Sequence, residues 1–200
     1  MVFDGIVFSL LVGFIRRGTL KGIVDLHLKF GWIFPILLLV QFIIYAYQEK
    51  SPFLGAISGY LFILIYILGL VFLYLNRSQK GLWLIFIGVF LNFIVMALNG
   101  GRMPVSLEAS AILDPMYAEA LVNGLYAKHA ALTESTIFGF LGDVIPITDP
   151  YPRDQVISIG DIIMNVGIFI FIQQLMLKHR RAFFVSRKLF KGGEGNEKIS

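Results

Sequence analysis

The chain has 200 residues, 57% of them apolar and only 15% charged, against roughly 45–50% and 25% in ordinary soluble domains. A mean hydropathy of +0.78 and 19 phenylalanines fit a lipid-facing surface and argue against a soluble enzyme. The net charge of +4 is not a nucleic-acid footprint, because the basic residues sit beside apolar runs and read as topology signals. With no cysteine, thiol catalysis, iron–sulfur clusters, thiolate zinc and a disulfide framework all drop out. The three histidines are scattered, and no metal-ligand pair, P-loop or dinucleotide fingerprint appears, so no metal, cofactor or nucleic acid is expected.

A bilayer core about 30 Å thick needs roughly 20 apolar residues in a helix. The first run, residues 2–15, reads as a short or tilted span. It does not read as a signal peptide, since Asp4 stands where a basic region belongs. Gly5, Ser9 and Gly13 lie four apart, a small-residue stripe along which another helix can pack closely; Gly55 and Gly59 repeat the device. Residues 31–47, 54–75, 81–98 and 156–177 supply four further spans. The predicted fold class is therefore all-α, a polytopic membrane helix bundle of about five transmembrane helices plus an outer amphipathic helix.

Charge orients it. Arg16, Arg17, Lys21, Lys29, Arg77 and Lys80 fall on one side with the basic residues that follow the last span; Lys50, Arg102, Lys128 and Arg153 fall on the other. The positive-inside rule then puts the N-terminus outside and the C-terminus inside a bacterial cytoplasmic membrane. Residues 1–178 form one transmembrane domain with an outer segment at 99–155. Residues 179–200 form a basic cytoplasmic tail resting on anionic membrane lipid, its glycine-rich end (191–200) expected to be disordered.

The outer segment carries seven acids against three bases. Asp114-Pro115 reads as an N-cap with proline at the first helical position. Apolar spacing then predicts an amphipathic helix over 115–128, burying Tyr117, Leu121 and Leu125, either flat on the interface or packed as a lid. A polar turn, a short apolar patch around Asp143, and the turn-forming run TDPYPRD follow. Arg102, just outside the fourth span, is placed to pair with Asp143 or Asp161, to bind a phosphate or carboxylate by its planar fork, or simply to snorkel.

Asp161 is the most informative residue. Read as five residues into the last span, it would sit about 7–8 Å below the helix start, and acids inside spans are costly and usually functional. Ser158, Asp161 and Asn165 fall on one helical face, as do Asn92 and Asn99 on the fourth span. These polar stripes either form a site or hold the two helices together by hydrogen bonds. Asp143 precedes Asp161 by 18 residues. Two converging carboxyls share a proton, one acting as base on water while the other protonates the scissile amide.

The segments FLGDVIPI and VISIGDIIMNVG resemble the two catalytic motifs of the lipoprotein signal peptidases, a family of bacterial aspartic membrane proteases. Asp143 matches the first catalytic acid and Asp161 the second, with Gly167 at the family's glycine offset, and Asn99-Gly100-Gly101 is similar to its outer Asn-x-Gly motif. Ser158 stands where that family has Asn, Gly160 where it has Ala, and that family has four spans. Over most of the chain, NGGRMPVS, KHAALTEST, FLGDVIPI and VISIGD together resemble a bacterial integral membrane family of unknown function. The first resemblance implies an aspartic peptidase-like protein with catalytic Asp143 and Asp161. Asn99, Arg102, Ser158 and Asn165 would then bind or orient a lipidated or membrane-anchored peptide. A small proton- or ion-coupled transporter using Asp161, and a non-enzymatic assembly or sensor subunit, are the alternatives.

Overall fold

The computed structural model describes residues 2–48, 50–122 and 128–193. It is mostly helical. Helix α1 (Val2–Ile15) leads through a one-turn α2 (Lys21–Val24) to α3 (Ile33–Tyr47), α4 (Pro52–Leu75) and α5 (Leu82–Leu98). Strand β1 (Met103–Val105), short helices α6 (Leu107–Leu113) and α7 (Pro115–Val122), and strand β2 (His129–Ala131) follow. A 3₁₀ turn (Gly139–Leu141), the strands β3 (Ile145–Ile147) and β4 (Gln155–Ile157), and the long α8 (Ile159–Gly193) complete the chain. Two helices, Pro52–Leu75 and Ile159–Lys178, are long and apolar enough to cross a membrane; α1, α3 and α5 are shorter apolar helices.

Each predicted span overlaps one of these helices, and local chemistry sets the ends. Ser51 caps α4 by accepting from the Leu54 amide at 3.3 Å, with Pro52 in the first helical position. The last helix begins later than its apolar run. Val156 and Ile157 are strand residues, paired antiparallel with Pro146 and Ile145, so α8 starts at Ile159. At the other end α8 continues to Gly193, through residues expected to be disordered from Lys191; residues 194–200 lie outside the described ones.

The packing centre is α8, which lies between α5 and α1. Along α1, Gly5 faces Asn165 and Gly13 faces Met176, so the two helices run parallel; the Ser9 carbonyl accepts from Gln173 at 2.6 Å. The predicted small-residue stripe is thus the contact surface. Helix α5 runs antiparallel to α8, with Gly88 against Gly160 and Met164, and Gly81 against Gly167 and Phe171. These four glycines, seven apart on each chain segment, bring backbone against backbone. A Cβ on Gly88 would meet the Met164 nitrogen at 2.7 Å. Helix α4 packs on α5, and α3 on α4. Ile44, Phe62, Val95, Met96 and Met103 form a buried cluster where α3, α4, α5 and β1 meet.

Outward faces are apolar and exposed, as Phe53 (73%) and Tyr60 (76%) on α4 show, while Ser9, Ser58, Asn92 and Gln173 are buried between helices. Apolar lipid would give no hydrophobic drive to pair such helices, which leaves close van der Waals packing and interhelical hydrogen bonds to hold them together.

The glycine contacts make a specific prediction for thermal stability in detergent. Gly88→Ala inserts a methyl against Gly160 and Met164 and should destabilise by about 1–3 kcal/mol. Gly69→Ala, on α4 with nothing near its missing Cβ, should be neutral or stabilising by up to about 1 kcal/mol. Equal effects from the two substitutions would rule out backbone contact as the basis of the α5–α8 pairing.

Candidate functional site

The first turn of α8 is held by a closed set of hydrogen bonds. Ser158 is the residue before the helix, and its hydroxyl accepts from the Asp161 amide at 3.0 Å. The Asp161 carboxylate accepts in return from the Ser158 amide at 3.2 Å. This is a reciprocal capping box, satisfying backbone donors that a helix start otherwise leaves open. Its sequence signature is local: Ser-x-x-Asp at 158–161, directly before an apolar run. Asp161 therefore sits in the first helical turn, not five residues down the span as its apolar run suggested.

Asn92 of α5 completes the set. Its amide donates to Asp161 Oδ1 at 2.9 Å, and its carbonyl oxygen accepts from the Ser158 hydroxyl at 2.9 Å. Gly160 makes this approach possible, because a Cβ there would collide with Asn92 Oδ1. Both positions that depart from the peptidase pattern meet Asn92: Gly160 leaves room for it, and Ser158 donates to it.

Asp143 reaches the same region through the β3–β4 hairpin. The Val144 amide donates to the Ile157 carbonyl at 3.2 Å, directly before Ser158. On the opposite side Asp143 is tied to β1: its amide donates to Pro104 O at 2.8 Å and its carbonyl accepts from the Ser106 amide at 2.9 Å. Strand β1 also pairs in parallel with β2, placing Met103 opposite His129. Asp143 is 6% exposed, and its Oδ1 is buried without a hydrogen-bond partner. His129 Nε2 lies 3.6 Å from Oδ2, too long for a hydrogen bond. Burial, reinforced by the nearby charge of Asp161 and opposed by that of Lys128, pushes the Asp143 carboxyl up to about 8. Burial and the Lys128 charge push His129 down to about 3, so both groups favour their neutral forms. Lys128 rests its ammonium 5.3 Å from the centre of the Tyr66 ring.

The remaining sequence candidates are placed elsewhere. Asn99 closes α5 by donating to Val95 O and pairs in both directions with the Ile137 backbone, tying down the loop before the 3₁₀ turn. Arg102 donates to Ser58 Oγ at 2.7 Å on α4, and burial pulls its guanidinium down. It is not paired with either aspartate. Gly100 and Gly101, at φ 68° and 77°, make the turn that aims it there, with Gly101 against the Gly59 backbone. Asn165 donates to the Asp161 carbonyl but faces Gly5 of α1, away from Asn92. Of the expected helix over 115–128, Pro115–Val122 is helical and residues 123–127 lie outside the described ones; α7 packs against α6 and β2, with Leu121 buried and Glu119 exposed. Lys128 leads into β2, because the chain from there pairs with β1; the side chain of Tyr117 and all of Leu125 lie outside the described residues. Nothing in the sequence marks Lys128 and Tyr66 as part of the site, since the β1–β2 pairing brings Lys128 there and Tyr66 comes from α4.

Residues 25–173 match the family of unknown function DUF5317. The chain belongs to that family. It is also 30% identical, over 86% of its own length and 89% of the relative's, to an uncharacterized protein of Thermotoga maritima. The matched region of the DUF5317 family takes in every residue of the site, from Asn92 to Asp161. No solved structure matches the chain.

Asp143 gives a pH prediction. Its carboxyl is raised from 3.8 to about 8 in the folded protein, so the folded state binds more protons than the unfolded state between those values. The resulting stability is full below about pH 4 and is lost as pH rises through about 8. Asp143→Asn, which cannot ionise, should lose less stability over that rise, by on the order of a few kcal/mol. Thermal melts of both proteins between pH 5 and 9 check this; parallel curves would show that Asp143 is not held neutral by the fold.

Proposed function

We propose that this protein is an aspartic membrane peptidase-like protein, in which Asp143 and Asp161 form an acid–base pair at the outer end of a five-span bundle. The observation that carries the reading is a buried Asp143 with an unpartnered oxygen, beside the charge of a second carboxylate whose orientation is fixed by Asn92 and Ser158. Amide hydrolysis by an aspartic pair needs one carboxyl to act as acid and the other as base.

In this reading Asp161 acts as the base, taking a proton from a water as the water oxygen attacks the amide carbonyl carbon. Asp143 gives its proton to the carbonyl oxygen. Collapse of the resulting gem-diol breaks the C–N bond, and the amine leaves with the proton held by Asp161. The pair returns to its starting protonation when the gem-diol proton passes back to Asp143. Asn92 and Ser158 position Asp161; Asn99, Arg102 and Asn165 act through the elements they anchor. The substrate class is a lipidated or membrane-anchored peptide entering from the outer leaflet.

The membrane placement is supported by the exposed apolar faces of α1, α3 and α4, by two helices of spanning length and composition, and by the charge distribution. Arg16, Arg17, Lys21, Lys29, Arg77 and Lys80 belong to segments that meet at one end of α8: the Thr19 amide donates to Met176 O, and Asn76 holds the Lys29 backbone. The Asp143 region lies at the other end. The positive-inside rule makes the basic end cytoplasmic.

Two measurements test the proposal. With lipidated peptides presented in liposomes, Asp143→Asn and Asp161→Asn should each lower cleavage by about 10²–10⁴-fold while leaving the fold intact, and wild-type cleavage should fall as pH rises above about 8. A folded Asp143→Asn that still cleaves removes the acid–base pair. For the topology, a cysteine replacing exposed Glu134 should label from outside intact cells, and one replacing Lys80 only after permeabilisation; the reverse pattern overturns the orientation.

A further inference from the structure

At the end of the bundle opposite the carboxyl pair, a cavity of about 220 Å³ opens between the C-terminal end of α1, the turn joining α4 to α5, and α8. Arg16 and Lys80 supply cations to its wall, Gln173 and Gln174 supply amides, and Phe169 and Ile170 form an apolar side. Among the described residues, none that lines it is acidic. Arg16 donates to Gln173 Oε1 at 2.9 Å, which fixes the guanidinium at the rim, and Gln173 is itself anchored to the Ser9 carbonyl. The side-chain oxygen of Gln174 is buried and has no hydrogen-bond partner. Ile170 is 38% exposed, so the apolar side reaches the outer surface of the bundle.

Cations converging on a cavity favour an anion, and a guanidinium with an ammonium suits the oxygens of a phosphate. The volume is below the roughly 300–1,000 Å³ of pockets that enclose a whole small-molecule ligand. It accommodates a phosphate and a small headgroup, while any attached chain has to leave along Phe169 and Ile170. A buried acceptor left without a hydrogen bond is costly, and a ligand hydroxyl that reaches it relieves the cost. We propose that this cavity binds a phosphate ester carrying a hydroxylated headgroup, namely the head of an anionic glycerophospholipid whose acyl chains lie against the apolar side. The site is separate from the carboxyl pair and does not depend on its chemistry.

The test uses the full chain, delipidated in detergent, with native mass spectrometry and a melt at each ligand concentration. The probes are phosphatidylglycerol, phosphatidylcholine and glycerol phosphate. Phosphatidylglycerol should bind at least about tenfold tighter than phosphatidylcholine, and Lys80→Gln should weaken it about tenfold, with Lys80→Arg restoring it. Arg16→Gln should weaken it as much, but because it also removes the bond to Gln173, Lys80→Gln is the cleaner variant. Arg77→Gln, a cation of the same end that lies outside the cavity wall, should have no effect. If glycerol phosphate binds as tightly as the lipid, the phosphate site stands and its ligand is a soluble ester. Equal binding of the two lipids, or equal losses from Arg77→Gln and Lys80→Gln, would overturn the proposal in favour of general surface charge.

Discussion

The side chain of Asn92 fixes where α8 begins relative to α5, and most of the molecule's upper end follows from that. It donates to Asp161 and accepts from Ser158, so the first turn of α8 is tied to the middle of a neighbouring helix by two bonds. In an apolar surrounding no water competes for these groups, and each unmet donor or acceptor would be costly. Gly160 is the steric condition for the arrangement. Once α8 is placed, the hairpin that precedes it is placed too, and with it Asp143, whose neighbour Val144 pairs with Ile157.

The two ends of the bundle are built on different physics. Along its length, α8 meets α5 backbone to backbone at paired glycines, and meets α1 where Gly5 and Gly13 leave room for the side chains of Asn165 and Met176. Such packing gains dispersion energy from area and closeness, without needing water to expel. At the end that holds the aspartates, short strands and small helices close over the bundle and bury polar groups. At the other end, the loops carry cations that stay near the surface around the cavity between α1 and α8. The asymmetry is electrostatic as well as structural, and it gives the molecule an inside and an outside in the reading proposed above.

The Asp143 region combines features that a purely structural carboxyl rarely shows together. Its backbone is fully engaged, with β1 on one side and the hairpin on the other, yet one carboxyl oxygen is buried and unpartnered. An unmet buried acceptor costs about 1–3 kcal/mol, and a nearby carboxylate adds to the cost of ionising it. Asp161 is the opposite case, with hydrogen bonds to both oxygens. One carboxyl is aimed and satisfied; the other is held without a partner. In the reading proposed above, that difference is what would let one of two identical groups serve as acid and the other as base.

The helices were legible because their cause is local. Apolar runs of helical length give α1, α3, α4, α5 and α8, and the four-residue spacing of Gly5, Ser9 and Gly13 marks the face of α1 that meets α8. Membership in a family of unknown function was likewise carried by short motifs that a reader can quote. Ser-x-x-Asp at 158–161 was equally local, and reading it would have placed Asp161 in the first turn of its helix. Other features depend on residues far apart in the chain. The start of α8 moved to Ile159 because Val156 and Ile157 found strand partners ten and twelve residues upstream. Lys128 and His129, at the end of the stretch predicted as a helix and just beyond it, came to Asp143 through the pairing of β2 with β1. Arg102 turned to Ser58 because two glycines with positive φ fold the chain back onto Gly59. Sequence by itself determined which segments are helical and which face of α1 is adhesive, since side-chain polarity and spacing act within a few residues. Only the tertiary structure decided which polar groups meet, because a hydrogen bond or a buried charge is set by whatever segment the fold brings within about 3 Å.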